Sequence, residues 1–519
     1  MRISRRRFFG AGLAGAVAVL AGTGAATSRR YPAPRVGNPF TLGVASGDPA
    51  PDSVVLWTRL APLPLEPGGG MPEGPVTVDY ELAHDEQFTR LVHRGSVTAT
   101  RELAHSVHPE VFGLEPNRVY HYRFRAGDAV SAVGRTRTTP RPGQRTERLD
   151  FAFASCQAWH DGHYTAYGHL AEEDLDLVVH LGDYIYEYSA ARNARGVAVP
   201  APLHGEPFGL AAYRMQYALY KSDPLLQLAH ARFPWLVTLD DHEVEDNWAG
   251  DSSVFDLEID QVPAVFRQRR AAALQAMYEH QPLRAAQLPA GPAMRLHRRM
   301  AFGALAEFTL LDTRQYRDDQ VCGDEHTAHC PDRFRADRSI LGAPQRDWLL
   351  SGLATAQARW QILGNQVPMG ETDADPGPGR SVSPDAWDGY VADRNTVLGR
   401  AADAGVRNLV VITGDRHENY AADLVRDFGD PESPVVATEF VGTSISSGGD
   451  GYDCGAPGAA RLAANPHLRF FNSQRGYVRC TVTERLWRTD FRVVPYVSRP
   501  GAPVRTRASY VIADGALLS

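Results

Sequence analysis

The sequence lacks a long apolar run after its first 20 residues, and it lacks blocks of like charge and internal repeats. A membrane-spanning helix needs about 20 consecutive apolar residues, so no transmembrane segment is predicted in the mature chain. The 54 basic and 61 acidic residues give a net charge of −7. A surface with that balance has no general attraction for nucleic acid, so no nucleic-acid-binding surface is expected.

Cysteine is scarce, with five residues in 519. Cys322 and Cys330 bracket a short polar loop and are predicted to pair in an oxidising compartment. Cys454 and Cys480 form a second candidate pair, which spacing alone does not establish. Pairing both couples leaves Cys156 as an odd thiol, and an odd cysteine in an exported protein needs a reason.

The first residues are typical of an export signal. Residues 4–9 place three consecutive arginines, including the pair Arg5-Arg6, before bulky apolar residues. Residues 10–20 form a short apolar run, and Ala25-Ala26 offers a small-residue cleavage site. This pattern predicts a twin-arginine signal peptide at residues 1–28, the twin-arginine translocase as a partner during export, and a secreted or extracytoplasmic location (cell wall or periplasm). A chance basic N-terminus is the alternative.

The rest of the chain consists of two regions that differ in amino-acid pattern. Residues 38–140 carry short β-branched and aromatic runs separated by Gly, Pro and Asp, which predicts a small all-β sandwich. Leu114-Glu115-Pro116 followed by Tyr120 resembles the corner of fibronectin- and immunoglobulin-like sandwiches. From residue 149 to about 500, near-continuous apolar strands such as 175–181 alternate with helices at 211–228 and 263–280, which predicts a large layered α/β domain.

Three of those apolar strands end in acidic clusters, at residues 182–187, 240–243 and 414–418. Sites in open α/β sheets lie at the carboxyl ends of strands. A single Asp there is commonly a cap or turn, but three such clusters with nearby histidines are harder to explain that way. Clustered carboxylates repel one another, and metal ions are the obvious group to offset the repulsion.

The motifs GDYIY, LDDHE and GDRHE resemble the GDxxY, GNHE and GHxH elements of calcineurin-like phosphoesterases and purple acid phosphatases. FAFASCQAWHDGHYTAY and FTLGVASGDPAPDSVVLWTRLAP look like PhoD-type alkaline phosphatases, from about residue 38 to Val494. The resemblance implies a four-layer α/β/β/α metallophosphatase domain preceded by the sandwich. It also implies an exported hydrolase of phosphate mono- and diesters that uses a metal-bound water or hydroxide, for phosphate scavenging.

The resemblance further implies one ferric iron (Fe3+) and one or two calcium ions (Ca2+). Cys156 stands where the superfamily has its first metal-binding Asp, and a thiolate suits iron better than calcium. Asp241 replaces the Asn of GNHE, and its full charge suits calcium. Asp183 should bridge the metals, whereas Tyr186 stands where a phenolate binds ferric iron. The implied ligands are Cys156, Asp183, Tyr186, Asp241, Asn365, Asp415 and His417, of which Asp415 and His417 should complete the iron site.

Several of these residues have ordinary alternatives. Cys156 could be an inert buried thiol, and Tyr186 a plain core aromatic. Asn365 ends an apolar strand and is either an amide ligand or a turn-forming residue, with Asn247 as a similar candidate.

The predicted catalytic residues are His242, Asp241 and Arg416. His242 should face the substrate as an acid or phosphate contact, and Arg416 either contacts the phosphate or forms an ordinary surface ion pair. No serine nucleophile is expected, because Ser155-Cys156 is not a GxSxG elbow.

Small-molecule phosphate esters are the expected substrates, with teichoic acid or phospholipid headgroups as further candidates. A phospholipase D-like diesterase acting on lipid headgroups is the alternative enzyme, which an exposed aromatic rim at residues 386–390 would favour. A sandwich-bearing surface-binding protein without activity is the third hypothesis. The three acidic strand ends argue against it.

Overall fold

The computed structural model describes residues 30–33, 37–256, 258–323, 326–375, 377, 379–513 and 515–518. The predicted signal peptide at residues 1–28 lies outside these residues. Within them, no helix is long and apolar enough to cross a membrane.

The described chain is a mixed α/β fold, as predicted. Its strands are β1 (Val44–Gly47), β2 (Ser53–Arg59), β3 (Val76–Ala83), β4 (Leu91–Ala99), β5 (Ser106–Val107), β6 (Glu110–Phe112), β7 (Val119–Ala126), β8 (Ala129–Val130), β9 (Gly134–Arg137), β10 (Arg148–Ala154), β11 (Leu177–His180), β12 (Pro234–Val237), β13 (Arg298–Phe302), β14 (Ala306–Leu310), β15 (Trp360–Asn365), β16 (Leu409–Thr413), β17 (Asn419–Val425), β18 (Val435–Val441), β19 (Leu468–Asn472), β20 (Gly476–Thr483), β21 (Leu486–Val493), β22 (Arg505–Ala513) and β23 (Ala516–Leu518). Its α-helices are α1 (Thr165–Glu172), α2 (Leu210–Lys221), α3 (Pro224–Arg232), α4 (Pro263–His280), α5 (Gly342–Ala354), α6 (Val391–Asp403) and α7 (Gly455–Ala464).

Two large sheets organise these elements. The first has eleven strands in the order β23-β22-β21-β20-β10-β11-β12-β1-β2-β5, with β6 paired to β2. The second has seven strands in the order β13-β14-β15-β16-β18-β17-β19. Strands β10, β11, β12 and β1 are parallel neighbours, and so are β14, β15, β16 and β18. The carboxyl ends of each parallel set therefore share one edge of its sheet.

The core consists of apolar clusters on both faces of these sheets. Phe151 and Val179 of the first sheet share one buried cluster with Phe308, Ile362 and Val410 of the second. The opposite face of the first sheet packs against α1 to α4, and that of the second packs against α5 and α6. Strands β11 and β16 are buried along their whole length, which explains why their sequences read as continuous apolar runs.

The N-terminal strands β1 to β9 are divided between two sheets. Strands β3, β4, β7, β8 and β9 make a separate five-stranded sheet, which shares a buried cluster with β1 and β2. Strand β1, however, pairs in parallel with β12, so β1 and β2 extend the eleven-stranded sheet. The Trp57 indole also donates to the Glu279 carbonyl oxygen at 3.0 Å. The predicted corner is present, because the Tyr120 hydroxyl accepts from the Glu115 N–H at 2.8 Å.

Two local predictions need correction and one is confirmed. The helix expected over 211–228 is two helices, α2 and α3, because Pro224 starts a new helix that Asp223 caps by accepting from the N–H groups of Leu225 and Leu226. A Cys322–Cys330 disulfide is present, with Cα atoms 5.9 Å apart. Cys454 and Cys480 are free thiols. Their candidate pairing is therefore wrong.

Candidate metal centre

Loops at the carboxyl ends of β10, β11, β12 and β16 bring most of the predicted ligands together. Three overlapping groups of side chains have ligand atoms within 4.8 Å of one another. They are Cys156, Asp183 and His417; Asp183, Asp241 and His242; and Asp240, Asp241 and Asp415. Asp183 belongs to the first two groups and Asp241 to the last two, so adjacent cations could share these carboxylates.

This grouping differs in one respect from the sequence-based ligand set. Asp415 was expected beside iron with Cys156, but its carboxylate groups with Asp240 and Asp241. From the sequence, Asp240 was identified only as a member of the acidic cluster at residues 240–243 and was not predicted as a ligand.

The backbone at these ligands is unusual. Cys156, Asp183, Asp415 and His417 have φ values of 59°, 55°, 66° and 53°. Left-handed conformations at residues other than glycine cost on the order of 1–3 kcal/mol each and concentrate at functional sites. Four such residues in one cluster indicate that the surrounding contacts hold the ligand atoms in place at the expense of local strain.

Tyr186 joins the first group, as predicted. Its hydroxyl lies 3.1 Å from Oδ2 of Asp183 and 3.0 Å from Nε2 of His417. Burial, with Arg475 nearby, lowers the pKa of His417 to about 3, which keeps the imidazole neutral, the form that binds metal. Burial and the Asp183 charge raise the pKa of the Cys156 thiol, so a thiolate there requires a cation beside it.

Unsatisfied carboxylate oxygens test whether cations fit. Oδ1 of Asp183, Oδ2 of Asp240 and Oδ1 of Asp241 are buried and accept no hydrogen bond from any residue that the structure describes. Burial raises the pKa of Asp183 and Asp240 well above the usual range, and that of Asp415 to about 7. Buried carboxylates without donors are costly unless they are paired or coordinate metal. The donor set therefore fits hard cations, with the thiol, imidazole and phenol suited to a transition-metal ion at one end.

His242 is oriented by a second carboxylate. Its Nδ1 lies 2.8 Å from Oε2 of Glu187, and its ring stacks on Tyr186 with centroids 4.0 Å apart. Nε2 lies 4.0 Å from Oδ2 of Asp241. Burial opposes protonation, but the charges of Glu187, Asp241 and Asp183 raise the pKa of His242 well above its ordinary value. The arrangement places Nε2 beside the ligand cluster.

Arg416 and Asn365 have different surroundings. Arg416 is half-buried, and its Nε has no hydrogen-bond partner in the described part of the chain. Burial opposes the charged form of Arg416, but Tyr420 and the carboxylates of Asp415 and Glu418 lie close enough to raise its pKa. Asn365 is fully buried, accepts from the Trp387 indole at 3.0 Å and donates to the Val367 carbonyl oxygen. These bonds suit the turn-forming alternative for Asn365, and its ligand role stays a prediction.

Arg314 contacts the candidate site, and the sequence reasoning missed it. Its side chain is fully buried, and Nε lies 2.6 Å from Oδ1 of Asp240. Nη1 and Nη2 donate to the two carboxylate oxygens of Asp385 at 2.7 and 2.9 Å, and Nη2 lies 3.4 Å from Oδ1 of Asp241. Arg314 follows β14, so the rule that picked out the three acidic strand ends would have found it.

Glu243 was also missed, although it lies within the LDDHE motif. Its carboxylate accepts from the backbone N–H groups of Asp183, Tyr184 and Asp240, at 3.1, 2.6 and 2.7 Å. Burial raises the pKa of Glu243 to about 7, against the effect of these donors. Glu243 therefore contacts the loops that carry ligands without contributing to any of the three ligand groups.

The fold and the site define a mixed α/β protein whose strand ends bring together acidic, histidine and cysteine side chains that could hold metal ions. The model of the PhoD-like phosphatase family matches residues 151–491, and the model of the PhoD-like phosphatase N-terminal domain matches residues 24–140. The chain is 49% identical over 474 residues to Alkaline phosphatase D of Bacillus subtilis (strain 168), covering 91% of this chain and 80% of that protein. A solved structure described as "Structure of PhoD" has 48% identity and a TM-score of 0.89, covering 93% of this chain and 92% of that one.

The chain belongs to the PhoD-like phosphatase family. It is a phosphoric ester hydrolase, and the resemblance drawn from its motifs is confirmed.

Proposed function

We propose that this phosphatase acts outside the cytoplasmic membrane on phosphate monoesters and diesters, for phosphate scavenging, at a centre of one ferric iron and one or two calcium ions. The observation that carries the proposal is the set of three overlapping ligand groups with unsatisfied buried oxygens on Asp183, Asp240 and Asp241. Carboxylates alone suit calcium, and a thiol with a phenol suits iron.

The ligand assignment follows the geometry. Cys156, Tyr186 and His417, with one oxygen of Asp183, form the proposed iron end. Asp241, Asp240 and Asp415 form the proposed calcium end, and Asp183 lies between the two. Asn365 stays a candidate for the calcium end through the free lone pair of its amide oxygen.

The chemistry divides between the cations and the side chains. When bound, the cations would lower the pKa of a water and neutralise charge on the phosphoryl oxygens. Glu187 holds Nδ1 of His242, so Nε2 can donate a proton to the leaving oxygen or a hydrogen bond to the phosphate. Arg416, with an Nε that has no partner in the described residues, is the proposed second contact to the phosphate.

Architecture and export complete the proposal. The clusters on both faces of the two large sheets support a four-layer α/β/β/α order, and the five-stranded sheet facing β1 and β2 supports an N-terminal sandwich. Residues 1–28 would direct the chain to the twin-arginine translocase. Teichoic acid and phospholipid headgroups stay candidate substrates beside small phosphate esters.

The phospholipase alternative loses the feature that would have favoured it. Trp387 and Tyr390 are both fully buried, so residues 386–390 present no exposed aromatic rim from these two side chains. A general phosphoesterase is therefore the better-supported function.

Elemental analysis of the purified protein, run beside hydrolysis of p-nitrophenyl phosphate and bis(p-nitrophenyl) phosphate, tests the proposal. We expect iron and calcium in the protein, visible absorption from thiolate or phenolate bound to ferric iron, and turnover of both esters. A colourless protein that contains only zinc and ignores calcium chelators would contradict the metal assignment, even if it hydrolyses phosphate esters.

A further inference from the structure

The Glu243 carboxylate occupies a position between two ligand loops. It is fully buried. Its Oε1 accepts from the N–H of Tyr184, and its Oε2 accepts from the N–H groups of Asp183 and Asp240. Buried backbone N–H groups must find an acceptor, and the loops that follow β11 and β12 find theirs in one side chain.

The two loops also touch directly. A Cβ placed on Gly182 would lie 2.4 Å from both Cβ and N of Asp240, so only glycine permits this approach. Gly182 has a φ of 110° and Asp183 a φ of 55°. The close approach and the strained backbone need a contact that holds the loops together, and the bonds to Glu243 supply it.

The same peptide units extend the connection to the thiol. The N–H of Cys156 donates to the Gly182 carbonyl oxygen at 3.2 Å, and the N–H of Gln157 donates to the Asp183 carbonyl oxygen at 3.0 Å. The loop at residues 182–184 thus donates to Glu243 on one side and accepts from the Cys156 loop on the other. Three ligand-bearing loops are joined through one hydrogen-bonded unit.

We infer that Glu243 is a positioning residue that fixes the spacing of Asp183, Asp240 and Asp241 and thereby sets the affinity of the centre for cations, an inference that rests on the proposed metal-dependent function. A carboxylate suits this role because both of its oxygens accept. In E243Q one acceptor becomes an N–H2 group that faces a backbone N–H donor, so at least one of the three bonds is lost.

The first experiment uses the metal-free wild-type protein and needs no variant. Hydrogen–deuterium exchange in peptides covering residues 180–186 and 238–242 should show strong protection at Asp183, Tyr184 and Asp240. Exchange as fast as in an exposed loop would overturn the inference, whatever the enzyme's activity.

The second experiment compares E243Q with D393N. Asp393 is a matched control because its buried carboxylate likewise accepts from backbone N–H groups, those of Ile340 and Leu341, in a loop that carries no candidate ligand. In E243Q we expect at least tenfold faster exchange in the two peptides and a 10- to 100-fold weaker affinity in calcium titrations of the metal-free protein, the usual range for residues that orient metal ligands. D393N should change exchange only near residues 339–341.

Two results would refute the role of Glu243. One is an E243Q protein whose exchange and calcium affinity stay within about twofold of wild type. The other is a D393N protein that loses as much calcium affinity as E243Q, which would make the effect one of general stability. A wild-type protein that binds calcium but hydrolyses no phosphate ester would instead contradict the proposed function and leave the exchange and affinity comparison intact.

Discussion

Replacing Arg314 with methionine tests how the centre's negative charge is balanced. The side chain is fully buried and hydrogen bonds to Asp240 and Asp385, which are also buried. Removing one partner of a buried ion pair costs about 3–5 kcal/mol. Because one guanidinium serves two carboxylates, we expect R314M to lose about 4–5 kcal/mol of the free energy of unfolding, measured in urea on the metal-free protein.

The loss should depend on pH with a definite sign. Burial opposes ionisation of Asp385, but Arg314 and Arg317 hold its pKa below the usual range. A carboxyl group with a depressed pKa stabilises the fold above its unfolded pKa, and this contribution disappears as the pH falls through the folded pKa. In R314M the Asp240 carboxylate lacks its counterion and Asp385 keeps only Arg317, so protonation relieves the uncompensated charge. The difference from wild type should therefore be largest at neutral or alkaline pH and should shrink towards acid pH.

An exposed pair provides the control. Arg101 lies 2.5 Å from Glu73, with exposed side-chain fractions of 64% and 84%. R101M should change stability by less than about 1 kcal/mol. A loss in R314M no larger than in R101M, or one that grows on acidification, would refute the view that Arg314 compensates the buried carboxylates.

The remaining predictions concern the metals and export. Asp183→Asn should lower turnover by roughly a thousandfold, about 4 kcal/mol, in steady-state assays with metal contents measured in parallel, because the carboxylate shared by two ligand groups is lost; a loss below tenfold would contradict the bridging role. Cys156→Ser should lose visible absorption and iron while keeping its circular dichroism, and unchanged absorption would exclude the thiol as a ligand. A calcium chelator should stop turnover of the wild-type enzyme while iron stays bound; turnover that persists would remove calcium from the proposal. Changing Arg5 and Arg6 to Lys should leave precursor in the cytoplasm, as seen by fractionation and blotting, and normal secretion would argue against the twin-arginine pathway.

Much of the site could be predicted because the sequence shows where the buried strands end. Continuous apolar runs give β11, β12 and β16, and the polar residues that follow each run must lie at one edge of a parallel sheet. That argument placed Asp183, Asp241 and Asp415 near one another, and in the structure they belong to overlapping groups of side chains. It carries no information about which carboxylates share a group, so it did not predict that Asp415 groups with Asp240 and Asp241.

The sequence pattern does not predict which distant strands or cysteines pair with one another. The strand character of 44–47 and 53–59 is visible from composition, but nothing local shows that β1 pairs with β12. The pairing partner of a strand depends on distant parts of the chain, and so does the pairing of Cys454 and Cys480. Pro224, in contrast, is a local signal that α2 ends before it, and the prediction of one helix over 211–228 did not use this signal.

The positions of Arg314 and Asp415 connect the site to the packing of the two sheets. Asp183, Asp240 and Asp241 follow strands of the first sheet, whereas Arg314 and Asp415 follow β14 and β16 of the second. The second sheet thus supplies the Arg314 guanidinium and the Asp415 carboxylate to a cluster whose other acidic residues come from the first sheet. Two of the three ligand groups, those with His417 and Asp415, contain residues from both sheets, so a cation that binds them in the native state and not in the unfolded chain would stabilise that packing. Metal binding and the association of the two sheets are therefore thermodynamically linked, and calcium should raise the urea midpoint of the wild-type protein more than that of Asp183→Asn.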